Sequence, residues 1–328
     1  MEHTLLVSSS PHVHCGMNTR DIMRDVIIAL APALAASIWL FGLRALAVEL
    51  VCVASAIAAE YLSRRAMKRP QTVGDLSAVV TGLLLAFNLP STIPLWQAAF
   101  GSVVAIVVAK QMFGGLGQNF VNPALVGRIV LMGSFPGEMG SWVDPFKWLA
   151  DPIGSLGTVD ATSTATPLAQ MAEATAAGTV AEIDAVPLLF GMRGGSLGET
   201  CVIALVLGGL YLVIRRIISP MIPVVYVGTV FVMTWLLGAD PVTHILSGGL
   251  MLGAIFMATD YATCPINRSG KLVYAIGCGL LTVLIRLYGS LPDGVSFAIV
   301  IMNILTPLIE RTVRPRPFGN KRGKAVAK

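Results

Sequence analysis

Long apolar stretches separated by short polar breaks dominate this chain and limit it to a helical membrane fold. Charged residues make up only 12% of the sequence, whereas soluble domains carry about 25%. The hydrocarbon region of a membrane offers no water to the backbone, so apolar stretches of spanning length must form helices that satisfy their own hydrogen bonds. The sequence therefore predicts an all-α polytopic membrane protein and excludes a soluble domain or a nucleic-acid-binding module.

The apolar stretches fall into two groups of five, separated by a long polar segment. We predict a first five-helix repeat over 1–134, an extracytoplasmic loop over 135–197, a second five-helix repeat over 198–310 and a basic tail over 311–328. The ten predicted spans cover 22–42, 45–63, 74–89, 95–113, 121–134, 198–214, 221–238, 243–258, 272–288 and 294–310.

The distribution of basic residues orients these spans. If ten spans alternate, 19 of the 23 Lys and Arg residues lie on one side of the membrane. Because cytoplasmic loops are enriched in Lys and Arg, that side is the cytoplasm and both termini are there. The segment 135–197 then lies outside, with seven acidic residues against two bases. The four bases that do not fit the rule are Arg44, Lys147, Arg193 and Arg286.

Five spans that start inside and five that start outside give the two halves opposite topologies, which is the arrangement of inverted-repeat membrane proteins. Short, broken helices at matching places in two such halves point to a central binding or conduction site. The matching features are Leu76-Ser77 with Leu246-Ser247, which open the third and eighth spans, and the nine-residue spacings from Gly101 to Lys110 and from Gly277 to Arg286.

A run of small hydroxyl residues in the outer loop is the strongest candidate site. It reads Asp-Ala-Thr-Ser-Thr-Ala-Thr-Pro from Asp160 to Pro167. Taken alone, this run is compatible with an ordinary turn, or with a helix that is capped by Thr166 and has Pro167 at its first position.

The run resembles the flavin-attachment motif, Ser-[Gly/Thr]-Ala-Thr, of membrane subunits from two related complexes: the Rnf ferredoxin:NAD oxidoreductase and the sodium-pumping NADH:quinone reductase. In that family the last threonine holds FMN through a phosphoester bond made by a flavin transferase. The resemblance therefore implies covalent FMN on Thr166, with Asp160, Ser163, Thr164 and Ala165 around it. The family more often has glycine where Thr164 stands.

The resemblance extends over nearly the whole chain, and the length fits the RnfD family better than its larger relative. It implies a fold similar to urea transporters and a place in the bacterial or archaeal plasma membrane. It also implies other Rnf subunits as partners: the G subunit with its own FMN, the A and E membrane subunits, and the C and B subunits. A second, non-covalent flavin such as riboflavin is a further expectation. The supporting segments are 10–12, 29–33, 114–119, 122–124, 256–260, 292–295 and 307–309.

Charged residues within or beside the predicted spans are candidates for an ion path. We select Asp260, Glu49 and Asp25, and Asp260 lies at a helix break where freed carbonyls offer ligands to a cation. Two other interpretations stay open, namely ion pairs of Asp25 with Arg24 and of Glu49 with Arg44. The remaining charges are Lys110, Arg128 and Arg286, of which Lys110 and Arg286 are close enough to span ends to reach water.

The predicted function is thus an electron-transfer subunit that couples electron flow to movement of Na⁺ or H⁺. Two alternatives remain on the residues alone: a urea-transporter-like solute channel and a structural anchor, because fold does not fix function. The five cysteines are scattered, and the Pro-His-Val-His-Cys cluster at 11–15 lacks a fourth ligand, so no metal site is predicted.

Overall fold

The computed structural model describes residues 18–149, 165–176, 183–289 and 293–313, and within these ranges all regular structure is helical. The all-α prediction is confirmed. The helices are α1 Thr19–Phe41, α2 Leu43–Ala66, α3 Ser77–Phe87, α4 Leu95–Ile106, α5 Pro123–Ser134, α6 Pro136–Met139, α7 Pro167–Ala176, α8 Ala185–Phe190, α9 Val202–Ile214, α10 Met221–Leu236, α11 Pro241–Leu246, α12 Leu250–Leu252, α13 Arg268–Tyr288 and α14 Val295–Thr312.

The chain is a multi-pass membrane protein by the length and composition of its helices. Four helices, α1, α2, α13 and α14, are long and apolar enough to cross a membrane. Shorter apolar helices occupy five more of the predicted stretches, and α4 is lengthened by a π-helical turn over Val107–Gln111.

The eighth predicted stretch, 243–258, is not one continuous helix. It consists of α11, a turn, α12 and a π-helical turn over Gly253–Met257. The turn contains Gly248, whose φ of +65° is accessible to glycine at little cost. A helix broken at this point releases carbonyl groups, which must then be satisfied by protein rather than by lipid.

Matching side-chain caps start two of the short helices. The side chain of Asn122 accepts a hydrogen bond from the N–H of Ala124 (3.1 Å) at the start of α5. Asp240 accepts from the N–H groups of Val242 and Thr243 at the start of α11. In both helices the next residue is proline, which needs no partner at the first helical position.

Small residues let the two groups of helices approach each other closely. Helix α1 of the first group packs on α9 of the second. At Gly208 a Cβ atom would clash with the carbonyl oxygen of Ala29, so only glycine fits there.

The two groups also share a packing pattern. In the first, α2 packs on α4 and α4 on α5; in the second, α10 packs on α13 and α13 on α14. A Cβ atom at Gly101 would clash with the side chain of Leu131 in α5, and one at Gly277 would clash with Met302 in α14.

Candidate functional site

Thr166 caps helix α7, as one interpretation of the sequence predicts. Its Oγ1 accepts a hydrogen bond from the N–H of Ala169 (3.2 Å), and its carbonyl accepts from the N–H of Gln170 (2.9 Å). Of the other predicted site residues, Ala165 is exposed next to it. Asp160, Ser163 and Thr164 lie outside the described residues.

Thr166 borders a partly enclosed cavity of about 40 Å³, here called the outer cavity, whose lining includes several charged side chains. By the threshold of about 10–15 Å³ per water molecule, it has room for a few waters or for one small polar group. Elements far apart in sequence meet around it. The lining residues are Arg128, Trp142, Thr166, Pro167, Leu168, Arg193, Gly194, Gly195, Glu199, Thr200, Gly248 and Asp293.

Two arginines beside the outer cavity pair with one carboxylate. The Nη2 atom of Arg128 lies 2.7 Å from Oδ2 of Asp293, and Nη2 of Arg286 lies 3.6 Å from Oδ1. Arg128 also donates to Oδ1 of Asn88 at the end of α3 (2.6 Å). Buried charges are stable only when they are paired, so Asp293 links the middle of α5 to the end of α13.

The carbonyls released at the end of α11 are bound by arginines. Arg286 donates to the carbonyls of His244 (2.5 Å) and Ser247 (3.0 Å). Arg193 donates to the carbonyl of Leu246 (2.6 Å) and to the hydroxyl of Ser247 (3.1 Å). Burial lowers the pKa of Arg193 to about 10, and the side chain therefore keeps its charge at neutral pH.

The outer cavity is thus rich in charge and incompletely satisfied. The charged lining residues are two arginines, Arg128 and Arg193, and two carboxylates, Asp293 and Glu199, while Arg286 reaches Asp293 from outside the lining. Oε2 of Glu199 and Oγ1 of Thr200 are buried without a hydrogen-bond partner among the described residues. The diglycine at Gly248 and Gly249 keeps this space open, because a Cβ atom at Gly249 would lie 3.0 Å from Oε2 of Glu199.

Three basic side chains occupy places other than those predicted. Lys110 and Arg286 are buried instead of reaching water, and Arg128, expected among the bases on the cytoplasmic side, is buried in the middle of α5. Their partners explain the difference, since each is bound by carboxylates or carbonyls that the apolar pattern of the sequence does not reveal.

A second cavity, here called the inner cavity, lies between the two helix groups and has a volume of about 100 Å³. Lys110 on its wall forms an ion pair with Glu60 (2.8 Å) and donates to the hydroxyl of Ser77 (2.6 Å). Asp260 lines the same cavity and accepts hydrogen bonds from the N–H of Ala262 (3.4 Å) and the hydroxyl of Thr263 (3.3 Å).

The other two ion-path candidates have partners that differ from those proposed for them. Asp25 does not pair with Arg24; it forms an ion pair with Arg215 of the second helix group (2.9 Å) and accepts from Tyr211. Glu49 accepts from the hydroxyl of Ser37 (2.5 Å), and its Oε2 is buried without a partner in the described part of the chain. Arg44 donates to the backbone carbonyls of Ser91 and Ile93.

Comparison with known proteins places the chain in a family. The model of the NQR2, RnfD, RnfE family matches residues 6–319. The chain is 47% identical to the D subunit of the Na⁺-translocating ferredoxin:NAD⁺ oxidoreductase complex of Acetobacterium woodii, over 100% of this chain and 99% of that one. The chain belongs to the NQR2, RnfD, RnfE family, as a D subunit of the Rnf type.

Other relatives of the RnfD type match over similar lengths. Identity is 43% to the D subunit of the proton-translocating ferredoxin:NAD⁺ oxidoreductase complex of Clostridium ljungdahlii, over 96% of each chain. It is 36% to the D subunit of the ion-translocating oxidoreductase complex of Escherichia coli, over 97% of this chain and 99% of that one. The names of these relatives thus differ in the ion that the complex translocates.

Sequence reasoning missed three acidic residues that the structure of this RnfD-type subunit places beside the two cavities. Glu60 and Glu199 fall inside or at the edge of apolar stretches, and a buried acid in such a stretch is itself a signal of function. Asp293 stands out in the sequence only as part of the segment 292–295. No local pattern joins Asp293 to Arg128, because 165 residues separate them.

Proposed function

We propose that this chain is the membrane subunit of an Rnf-type ion-translocating ferredoxin:NAD oxidoreductase that carries FMN covalently on Thr166. Family membership over nearly the full length supports the type of complex. One structural observation supports the flavin: Thr166 is at the start of a helix and at the mouth of an arginine-lined cavity. FMN, when bound, supplies electron transfer that no side chain performs.

The residues around Thr166 fit a phosphodiester. Such a linkage carries one negative charge, and the lining offers it Arg193, a cation that makes no ion pair with a described residue. The free N–H groups at the start of α7 also favour an anion at this position. The threonine is only half buried, so a flavin transferase can reach its hydroxyl.

The proposal includes the partners and the orientation predicted from the sequence. The Rnf G subunit, with its own FMN, is the expected electron partner outside the membrane, and the A, E, C and B subunits complete the complex. Both termini lie in the cytoplasm and the loop with Thr166 lies outside. Electron flow is coupled to movement of Na⁺ or H⁺, and a second flavin such as riboflavin is released when the complex is denatured.

We also propose that the two helix groups are inverted repeats with a fold similar to urea transporters. The matched glycines support this, because Gly101 and Gly277 pack on equivalent helices. The matched bases support it further. Lys110 donates to the hydroxyl of Ser77 and Arg286 to the carbonyl of Ser247, the two serines that open the third and eighth predicted spans.

The ion path is proposed to include Asp260, Glu49 and Asp25. Asp260 lines the inner cavity beside a broken helix. Glu49 has a buried carboxylate oxygen without a partner among the described residues, and Asp25 forms an ion pair that joins the two helix groups. Burying an acid inside a membrane protein costs free energy. Such residues are therefore rarely present without a function, which supports this assignment.

The flavin linkage is tested by expressing the chain with a flavin transferase and examining the denatured protein on a gel. We expect a fluorescent wild-type band and a dark Thr166→Ala band. Ser141→Ala is the matched control, since it removes a hydroxyl of the same outer segment that lies outside the motif and does not line the cavity, and its band stays fluorescent.

A dark wild-type band, with the transferase shown to modify a known acceptor, refutes the flavin proposal. That outcome favours the solute-channel alternative, which predicts no flavin. Fluorescence that survives in Thr166→Ala refutes the assignment of the anchor alone.

A further inference from the structure

The outer cavity contains hydrogen-bond donors that the described residues do not use. The N–H groups of Gly194 and Gly195 donate to no described residue. The hydroxyl of Thr200 is buried and unpartnered within the same part of the chain, although it lines the cavity. Unused N–H groups and a hydroxyl in the lining of one cavity are donors that a bound anion can accept from.

Arg193 adds a charge to these donors. Arg128 and Arg286 both pair with Asp293, whereas Arg193 makes no ion pair among the described residues. Its Nη atoms are anchored on Leu246 and Ser247, which holds the guanidinium at the wall of the cavity while further N–H groups stay free. An anchored arginine with free donors is well suited to bind a phosphate.

We propose that Arg193, Thr200 and the N–H groups of Gly194 and Gly195 form a phosphate-binding site, which holds the phosphodiester of the flavin attached to Thr166. This proposal rests on the proposed function and adds the residues that recognise the phosphate. The proposal also gives a reason for the presence of Arg193 in an outer segment that carries seven acids. The enrichment of bases on the cytoplasmic side does not predict a base there.

Glu199 limits what lies next to the phosphate. Its unpartnered Oε2 points toward Gly249, and a Cβ atom there would lie 3.4 Å from both Arg128 and Asp293. A carboxylate repels a phosphate but accepts a hydrogen bond from a hydroxyl.

The site is tested without the covalent bond, in the complex purified from cells that lack the flavin transferase. Binding of FMN, riboflavin and inorganic phosphate is measured by equilibrium dialysis. The variants are Arg193→Gln, Arg193→Lys and Thr200→Val. Lys147→Gln is the matched control, because Lys147 is the other base of the outer segment, is exposed and does not line the cavity.

At the site that depends on Arg193, we expect FMN to bind and riboflavin to bind at least tenfold more weakly. Arg193→Gln weakens FMN binding tenfold or more, as expected for the loss of charge-assisted hydrogen bonds, while Arg193→Lys recovers part of the affinity. Thr200→Val weakens it several-fold, and Lys147→Gln leaves it unchanged. Inorganic phosphate competes with FMN in the wild type but not in Arg193→Gln.

The outcomes separate this proposal from the proposed function. The decisive quantity is the FMN binding that differs between wild type and Arg193→Gln, because other flavin sites of the complex contribute equally to both. Absence of such a difference, or an equal Arg193-dependent binding of riboflavin, overturns the phosphate site even if Thr166 is flavinylated in cells. Tight FMN binding that depends on Arg193, together with a dark wild-type band after exposure to active transferase, overturns the covalent linkage and leaves the phosphate site standing.

Discussion

The buried ion pair between Lys110 and Glu60 provides a quantitative test of how the first helix group is held together. The pair joins α2 to the π-helical turn that follows α4, with its charged atoms 2.8 Å apart. The side chain of Lys110 is 2% exposed and that of Glu60 is 0% exposed. Glu60 also accepts from Thr72 (2.6 Å), and Lys110 donates to Ser77 (2.6 Å).

Removal of one partner leaves the other charge buried without compensation. We expect Lys110→Met or Glu60→Gln to lower the free energy of unfolding by about 3–5 kcal/mol, whereas the double variant loses far less because no unpaired charge remains. The measurement is unfolding in mixed detergent micelles, followed by circular dichroism, for the four members of a double-mutant cycle.

The cycle refutes this reasoning if the two single substitutions cost less than about 1 kcal/mol, which is the value expected for an exposed pair. Strictly additive effects of the two substitutions refute it as well. Lys271→Met serves as the control for the loss of a lysine, because Lys271 is part of no ion pair among the described residues.

Three further substitutions test other parts of the structure by the same unfolding measurement. Gly208→Ala introduces a clash with the carbonyl of Ala29 and is expected to cost about 1–3 kcal/mol; a neutral result contradicts the close contact of α1 with α9. Asp25→Asn is expected to cost less than Lys110→Met or Glu60→Gln, since water screens its half-exposed partner Arg215, and a loss as large as theirs contradicts that screening. Asn122→Ala removes the cap of α5 and is expected to cost about 1 kcal/mol, whereas Asn122→Ser keeps an acceptor and most of the stability.

Local features of the sequence predicted well. The apolar stretches gave the positions of the helices because spanning length and composition act over neighbouring residues. The start of α7 at Thr166 and Pro167 was also predicted, since a cap and a proline at the first position determine a helix start within a few residues.

Contacts between distant residues were not predictable in the same way. The partners of Lys110, Arg286 and Asp25 come from other parts of the chain. The expectation that Lys110 and Arg286 reach water was therefore wrong, as was the pairing of Asp25 with its neighbour Arg24. The broken eighth stretch has a related cause, because the carbonyls freed at its turn are satisfied by Arg193 and Arg286 from elsewhere in the chain. Sequence patterns report burial and local geometry but not which buried groups meet.

The central claim is that Thr166 carries FMN, and the most direct measurement is mass spectrometry of a proteolytic fragment containing Thr166 from the native complex. We expect the mass of this fragment to exceed that of the unmodified peptide by the mass of FMN minus one water. Fragmentation is expected to locate the added mass on Thr166. An unmodified Thr166 in a complex that transfers electrons between ferredoxin and NAD contradicts the claim.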